Sequence, residues 1–309
     1  MSETDNRLQR LREAQHAVNR ILLGKDHQVN LAFCCLLARG HLLIEDVPGV
    51  GKTTLAHAMA RVIGSQYQRI QFTSDLLPAD ILGVSIYKRE KDEFELHPGP
   101  IFSQVILADE INRATPKTQS ALLEGMAERQ VTIENETHAL PEPFFVMATQ
   151  NPLDLVGTFP LPDSQLDRFL ISFSIGYPEP EAERALLVAE DRALLLDRTE
   201  QILSPEEIRA LQEDCDAVHV SESLLDYVQA LLAETRDERW FEAGLSPRAG
   251  LALLAAGRAH AFLSGRDYVA PEDIKIIFPA LTRHRLSPAG FSQDSEAQVG
   301  ELLAQVPIP

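Results

Sequence analysis

The chain has 309 residues, enough for two domains with full cores. Hydrophobic residues make up 45% and charged residues 24%, the balance of an ordinary globular protein. Acidic residues outnumber basic ones by 46 to 28, a formal net charge of −18; so acidic a surface repels nucleic acids and anionic membranes unless its cations are gathered in one place. No apolar run approaches the ~18 residues of a membrane span, and the polar start MSETDNRLQRLREAQ lacks the apolar stretch of a secretory signal. Cysteines number 3, too few for a disulfide framework, and Cys34 and Cys35 inside LAFCCLLA read as small apolar residues of a buried helix. The histidines show neither HExxH nor a Cys/His cluster at zinc spacing. The expectation is a reduced, cytoplasmic protein with no membrane insertion and no nucleic-acid partner.

In chain order, residues 2–22 predict an amphipathic helix, with Leu8, Leu11, Val18 and Leu22 near helical spacing, and 27–38 predict a second. HLLIE (41–45) is a short apolar run suited to a buried parallel strand. The loop DVPGVGKTT and the helical segment LAHAMARVI follow. Further strands are expected at 67–72, 104–108, 143–149 and 169–175, with helical stretches such as 116–128 between them. Strands alternating with helices predict an α/β fold, a parallel sheet sandwiched by helices. Two segments interrupt the pattern and read as hairpins: 84–96 around the polar turn KREKDE, and 129–141 around Glu134-Asn135. After Tyr177-Pro178-Glu179-Pro180 the strand-like runs cease. Helical periods follow at about 181–196, 204–217, 221–235, 247–263 and 271–284. Ser204, Pro205 and Glu207 have the order of an N-cap, first helical residue and capping-box partner. The expected division is an α/β domain over 1–178 and a smaller all-helical domain over 179–309.

Four places carry chemistry. The first is the loop between a buried strand and a helix, whose Asp46, Pro48, Gly49, Val50, Gly51, Lys52, Thr53 and Thr54 form a candidate phosphate cradle. Glycines let the backbone curl so that several N–H groups face an anion, and the following helix presents its positive end. Lys52 would reach the β- and γ-phosphates, and the Thr53 hydroxyl would ligate Mg²⁺. The general pattern GxxxxGK[ST] asks for glycine at position 46, where this chain has Asp46. The second place is VILADE, an apolar strand ending in two carboxylates: Asp109 to hold Mg²⁺ through water, and Glu110 to orient and polarise the attacking water. The third is Asn151, in Gln150-Asn151-Pro152 at the tip of another strand, where a polar side chain could hold the lytic water; Asn-Pro alone also reads as a turn. The fourth is a choice of arginines able to neutralise the transferring phosphoryl group: Arg113, Arg168 in QLDRF and Arg248 in LSPRA.

In this order the segments LLIEDVPGVGKTTLA, LADEINRATPKTQSALLEGMAERQVTI, FFVMATQNPLDLVGTFPLPDSQLDRF and GLSPRAGLALL resemble the MoxR family of AAA+ ATPases over about residues 20–285. In that family Asp46 is the usual residue of the phosphate loop. The resemblance implies an AAA+ αβα sandwich followed by a helical lid, and assigns Lys52 and Thr53 to Walker A and Asp109 and Glu110 to Walker B. Asn151 becomes sensor 1, Arg168 the arginine finger presented to the next subunit, and Arg248 the lid's sensor 2. Gly24-Lys25 falls where the family has a segment near the adenine, and the two hairpins match the family's helix-2 and pre-sensor-1 inserts facing a ring pore. The implied activity is Mg²⁺-dependent ATP hydrolysis by a hexameric homo-oligomer. Its implied work is chaperoning that matures complexes or inserts cofactors, beside a partner with a von Willebrand factor A domain and a protein client.

Two other readings stay open. One is a nucleotide-dependent interaction switch or scaffold in which turnover is secondary. The other is a nucleic-acid motor, opposed by the charge balance and by the lack of a binding module. The charge itself is uneven: residues 179–245 hold 18 acidic and 6 basic residues, whereas 246–309, with Arg248, balance at 6 and 6. The acidic stretch reads either as a solvated helix face or as a dock for a basic partner.

Overall fold

The computed structural model describes residues 3–89, 92–153, 156–188, 192–289 and 295–308. Helices α1 (Glu3–Ile21) and α2 (Asp26–Leu37) precede strand β1 (Leu42–Glu45), helix α3 (Lys52–Val62) and strand β2 (Tyr67–Gln71). A one-turn helix α4 (Pro78–Leu82) leads into the hairpin β3 (Gly83–Lys88) and β4 (Glu93–Pro98). Next come β5 (Val105–Asp109), α5 (Pro116–Glu128), the hairpin β6 (Gln130–Ile133) and β7 (Glu136–Ala139), then β8 (Phe145–Gln150), α6 (Asp163–Leu166) and β9 (Ile171–Phe173). The elements after β9 are helices: α7 (Pro180–Val188), α8 (Arg192–Asp197), α9 (Pro205–Asp216), α10 (Glu222–Thr235), α11 (Pro247–Leu263), α12 (Pro271–Thr282) and α13 (Ser295–Gln305). Among the described residues no helix is long and apolar enough to cross a membrane.

β2, β5, β8, β1 and β9 lie in that order in one sheet, all parallel. Their continuous apolar runs follow from having both faces covered, since side chains alternate between faces along a strand. Leu42, Ile44, Val105, Leu107, Phe145, Met147, Ile171 and Phe173 join one core with α1, α2 and α3. Leu43, Ile106, Ala108, Val146 and Ala148 join another with α5 and the two hairpins. The first core does not stop at the sheet's helices. It continues into α9, α10, α11 and α12 through Leu211, Tyr227, Leu253, Ile277 and Phe278. α2 lies between the two sets of helices, buried without a break from Leu31 to Leu37. Cys34 and Cys35 of α2 and Cys215 of α9 are free and buried there, and burial pushes all three thiols well above their ordinary range.

Both expected hairpins are present, although the turn residues Glu90 and Lys91 lie outside the described residues. The single helix expected over 181–196 is found as α7 and α8, and 189–191 lie outside the described residues. The helix after the glycine loop starts at Lys52, because Gly51, left-handed at φ 105°, is its N-cap. Ser204 caps α9 as its sequence predicts: its hydroxyl accepts from the Glu207 amide at 3.3 Å, while Glu207 Oε2 accepts from the Ser204 amide at 2.8 Å. Part of the acidity of 179–245 answers cations elsewhere in the chain. Asp214 pairs with Arg7, Glu207 with Arg10 and Asp216 with Arg39.

Candidate functional site

At the C-terminal end of β1 the chain turns through Gly49 (φ 87°) and Gly51 (φ 105°). That left-handed backbone favours glycine, and it brings the loop to the N-terminus of α3. Lys52 opens the helix and donates from Nζ to the Asp46 main-chain oxygen at 2.7 Å. Burial lowers the proton affinity of this ammonium, and the carboxylates of Asp109, Asp46 and Glu110 oppose that. Pro48, Gly49, Gly51, Lys52, Thr53 and Thr54 line a cleft of about 420 Å³ together with Arg69, Gln71, Asp109 and Glu110.

Asp46 and Val50, both expected in the cradle, do not line the cleft. Asp46 works behind it. Its carboxylate accepts from the Val47 amide (2.8 Å), from Ser174 Oγ (2.9 Å) and from the Gly176 amide (2.7 Å). Its own amide donates to the Gln150 oxygen at 3.0 Å. A glycine at this position could not make the carboxylate bonds, which explains the departure from the general motif. Lys25 Nζ donates to the Tyr177 oxygen at 2.8 Å, so the Gly24-Lys25 segment meets the same stretch of chain.

Across the cleft, β5 delivers the two carboxylates. Asp109 stands opposite Gln71 in the β2–β5 register. Thr149 Oγ1 donates to Asp109 Oδ1 at 2.6 Å, and Arg69 Nη2 donates to Asp109 Oδ2 at 2.6 Å. Glu110 adopts a left-handed backbone (φ 57°), which is strained for a residue with a side chain. Its amide donates to Thr149 Oγ1 at 2.9 Å, which fixes the turn that aims the carboxylate. Glu110 Oε2 accepts from Gln71 Nε2 at 2.7 Å and faces Arg113 Nε at 3.2 Å. Arg113, one of the three candidate arginines, is therefore a neighbour of Glu110 within its own chain.

Arg69, Gln71 and Thr149 belong to no motif of the sequence. The available signal was the polar alternation of YQRIQF: Arg69 and Gln71 share the face of β2 that opens on the cleft, where an edge strand need not be apolar. Asn151 follows β8 and is buried, but it does not line the cleft. Its Oδ1 accepts from the Leu153 amide at 3.1 Å, the turn that Asn-Pro favours.

Arg168 and Arg248 are brought together, and not to the phosphate loop. Both line a second cleft of about 340 Å³ with Arg285, Asp167 and His41, and the two clefts share no residue. Arg168 donates from Nη1 to the Leu123 oxygen. Arg248 is exposed on the first turn of α11 and has no hydrogen-bond or ion-pair partner among the described residues. The second cleft abuts the start of β1 and β9, where the Leu170 amide donates to the His41 oxygen at 2.8 Å. The glycine loop leaves the other end of β1. In a parallel sheet these are opposite edges, separated by a strand of four residues, about 13 Å. Arg248, the expected sensor 2, thus stands beside Arg168, the expected finger, and away from the glycine loop, because α11 packs on α2.

A five-stranded parallel sheet, a glycine loop at a helix N-terminus, paired carboxylates on the neighbouring strand end and a helical C-terminal part define a nucleotide-binding ATPase of the AAA type. The profile of the ATPase family associated with various cellular activities (AAA) matches residues 41–171, and that of the AAA lid domain matches 233–304. The chain is 44% identical over 303 residues to the uncharacterised protein YeaC of Bacillus subtilis, covering 97% of this chain and 95% of that one. It is also 44% identical over 285 residues to chaperone MoxR1 of Mycobacterium tuberculosis, covering 89% of this chain and 75% of that one. A candidate ATPase of Cytophaga hutchinsonii, known from its crystal structure, superposes with a TM-score of 0.89 at 34% identity, covering 99% of this chain and 97% of that one. The chain belongs to the MoxR family of AAA+ ATPases, whose family activity is ATP hydrolysis.

Proposed function

We propose that the protein is an ATP-driven remodelling chaperone whose active site is completed between two copies of the chain. The observation that carries the reading is the separation of the two clefts. The phosphate loop and carboxylates lie at one edge of the sheet, and the paired Arg168 and Arg248 at the other. Stacking chains head to tail would bring one copy's arginines to the next copy's phosphates, and head-to-tail contacts close into rings. In this reading Lys52 and the loop amides bind the triphosphate, and Glu110 orients and polarises the attacking water. Asn151, set back from the cleft at the adjacent strand tip, would meet that water only through its Nδ2, and Arg168 and Arg248 stabilise charge on the neighbour's γ-phosphate. Such arginines are worth about 10³–10⁵ in rate.

The donor set also suits magnesium. The Thr53 hydroxyl and the Asp109 carboxylate line one cleft, both hard oxygens. When bound, the ion would neutralise charge on the β- and γ-phosphates. Among the described residues no group of three His, Cys, Asp or Glu is placed to hold a metal ion. The full proposal is a cytoplasmic hexamer with a division near residue 178, acting on a protein client beside a von Willebrand factor A domain partner.

The test is ATP turnover measured against protein concentration. Glu110→Gln should bind ATP and lose turnover, Arg168→Ala should lose it by a similar order, and the wild type should lose it on dilution. Full activity in a dilute monomer would sink the shared site, and wild-type turnover by Glu110→Gln would sink the hydrolytic role of Glu110. If Glu110→Gln replaces the wild type in a deletion strain, the protein works as an assembly switch in which turnover is secondary.

A further inference from the structure

Arg168 and Arg248 come from different parts of the chain, one from the loop before β9 and one from α11. Arg285, just beyond the end of α12, fixes the Arg168 loop to the helices that carry Arg248. Its side chain is 6% exposed. Nε donates to Asp167 Oδ1 at 2.8 Å, Nη1 to the Leu170 oxygen at 3.1 Å and to the Leu281 oxygen at 2.5 Å, and Nη2 to the Asp167 and Phe169 oxygens. The neighbouring His284 donates from Nε2 to the Phe169 oxygen at 3.0 Å. The carbonyls on either side of Arg168 are therefore held from the end of α12.

This arrangement asks for arginine. A guanidinium offers five N–H groups in a rigid fork, and a lysine could not reach the same oxygens together. It is also an expensive side chain to bury, and among the described residues lining the cleft Asp167 is the one carboxylate that can offset it. Burial, with the nearby Arg248, disfavours the charge on Arg285, and Asp167 opposes this in part. With its donors committed to the loop, Arg285 is not placed to bind a ligand.

We propose that Arg285 is a positioning residue: with Asp167 it clamps the Arg168 loop to α12, so that Arg168 and Arg248 meet the neighbouring copy's phosphates as one pre-set pair. The proposal rests on the shared-site reading above. It predicts a loss in the chemical step rather than in nucleotide binding, since the clamp is remote from the chain's own phosphate loop. A displacement of about 1 Å at such a group costs about 10²-fold in rate.

The experiment uses the full chain with Arg285→Gln, Asp167→Asn and, as reference, Arg168→Ala. Each is assayed alone and co-assembled with excess Lys52→Ala, which has a disabled phosphate loop but an intact arginine cleft. Asp167→Asn keeps the bonds of Arg285 to the main chain, so it remains informative if Arg285→Gln folds poorly. The expected result is a fall in kcat of about 10²-fold for both clamp variants with KM for ATP nearly unchanged, and recovery of turnover in both mixtures. Wild-type kcat in both clamp variants overturns the proposal. So does a loss that Lys52→Ala fails to restore while it restores Arg168→Ala, since that outcome marks a residue needed only for folding. Wild-type turnover in Arg168→Ala identifies a different failure, that of the shared site itself.

Discussion

His41 and His284 flank the loop that carries Arg168, and both are buried and neutral. Burial holds each imidazole down at about 3, with Arg129 reinforcing it at His41 and Arg285 at His284. In the unfolded chain both titrate near 6.5. Between those values the unfolded state binds more protons than the folded one, so stability falls as pH drops below ~6.5, by up to about 1.4 kcal/mol per pH unit for each histidine. Above that range neither contributes a slope. Thermal melts from pH 7.5 to pH 5 should therefore show a steeper loss of Tm in the wild type than in His284→Gln. At this scale the motif residues were legible because their chemistry dictates their type: glycine where φ is positive, a lysine and hydroxyl at the helix mouth, carboxylates at a strand end. Arg69, Gln71 and Thr149 were not legible, because each acts only through a neighbour that strand pairing brings to it. Asp46 was legible as a departure from the general pattern but not as an anchor, since Ser174 and Gly176 lie far along the chain.

Among the elements, the strands and long helices could be read because their burial is periodic or continuous. α4 and α6 span five and four residues, too short for any period to register. α13 buries only Val299 and Leu302 and carries Gly300 inside it, so its face is weakly marked. Two substitutions test local claims. Ser204→Ala removes the cap of α9 and should cost about 1 kcal/mol in denaturant unfolding. Gly40→Ala should cost more, about 1–3 kcal/mol, because a Cβ at Gly40 would lie 2.3 Å from Leu170 Cδ2 and 2.4 Å from Leu170 Cβ. The second change pushes on the loop that Arg285 holds, so turnover should fall with stability there and stay level in Ser204→Ala.

For the whole molecule, the two-part architecture was legible and the placement of the second part was not. Whether LSPRA lies over the chain's own phosphates or a neighbour's depends on which surface α11 covers, and its apolar face would suit either. The structure seats it on α2, and one core runs through both parts. Calorimetry should therefore record a single unfolding transition with equal calorimetric and van't Hoff enthalpies, and a fragment ending at 178 should be poorly folded, because the outer face of α2 would be bare. The acidity of 179–245 also looks different at this scale. Asp214 and Glu207 face the arginines of α1, and Asp216, at the surface, faces Arg39, so these three carboxylates are paired within the chain.

The shared core has one more consequence. Alkylating and disulfide reagents need a reachable thiolate, and Cys34, Cys35 and Cys215 offer neither access nor charge while the core is shut. They stand on both sides of residue 178, two on α2 and one on α9. Their labelling rates are thus a built-in clock for opening events. If the core parts as one unit, all three sulfurs will be tagged together, at a rate set by the rarest and largest fluctuation of the chain.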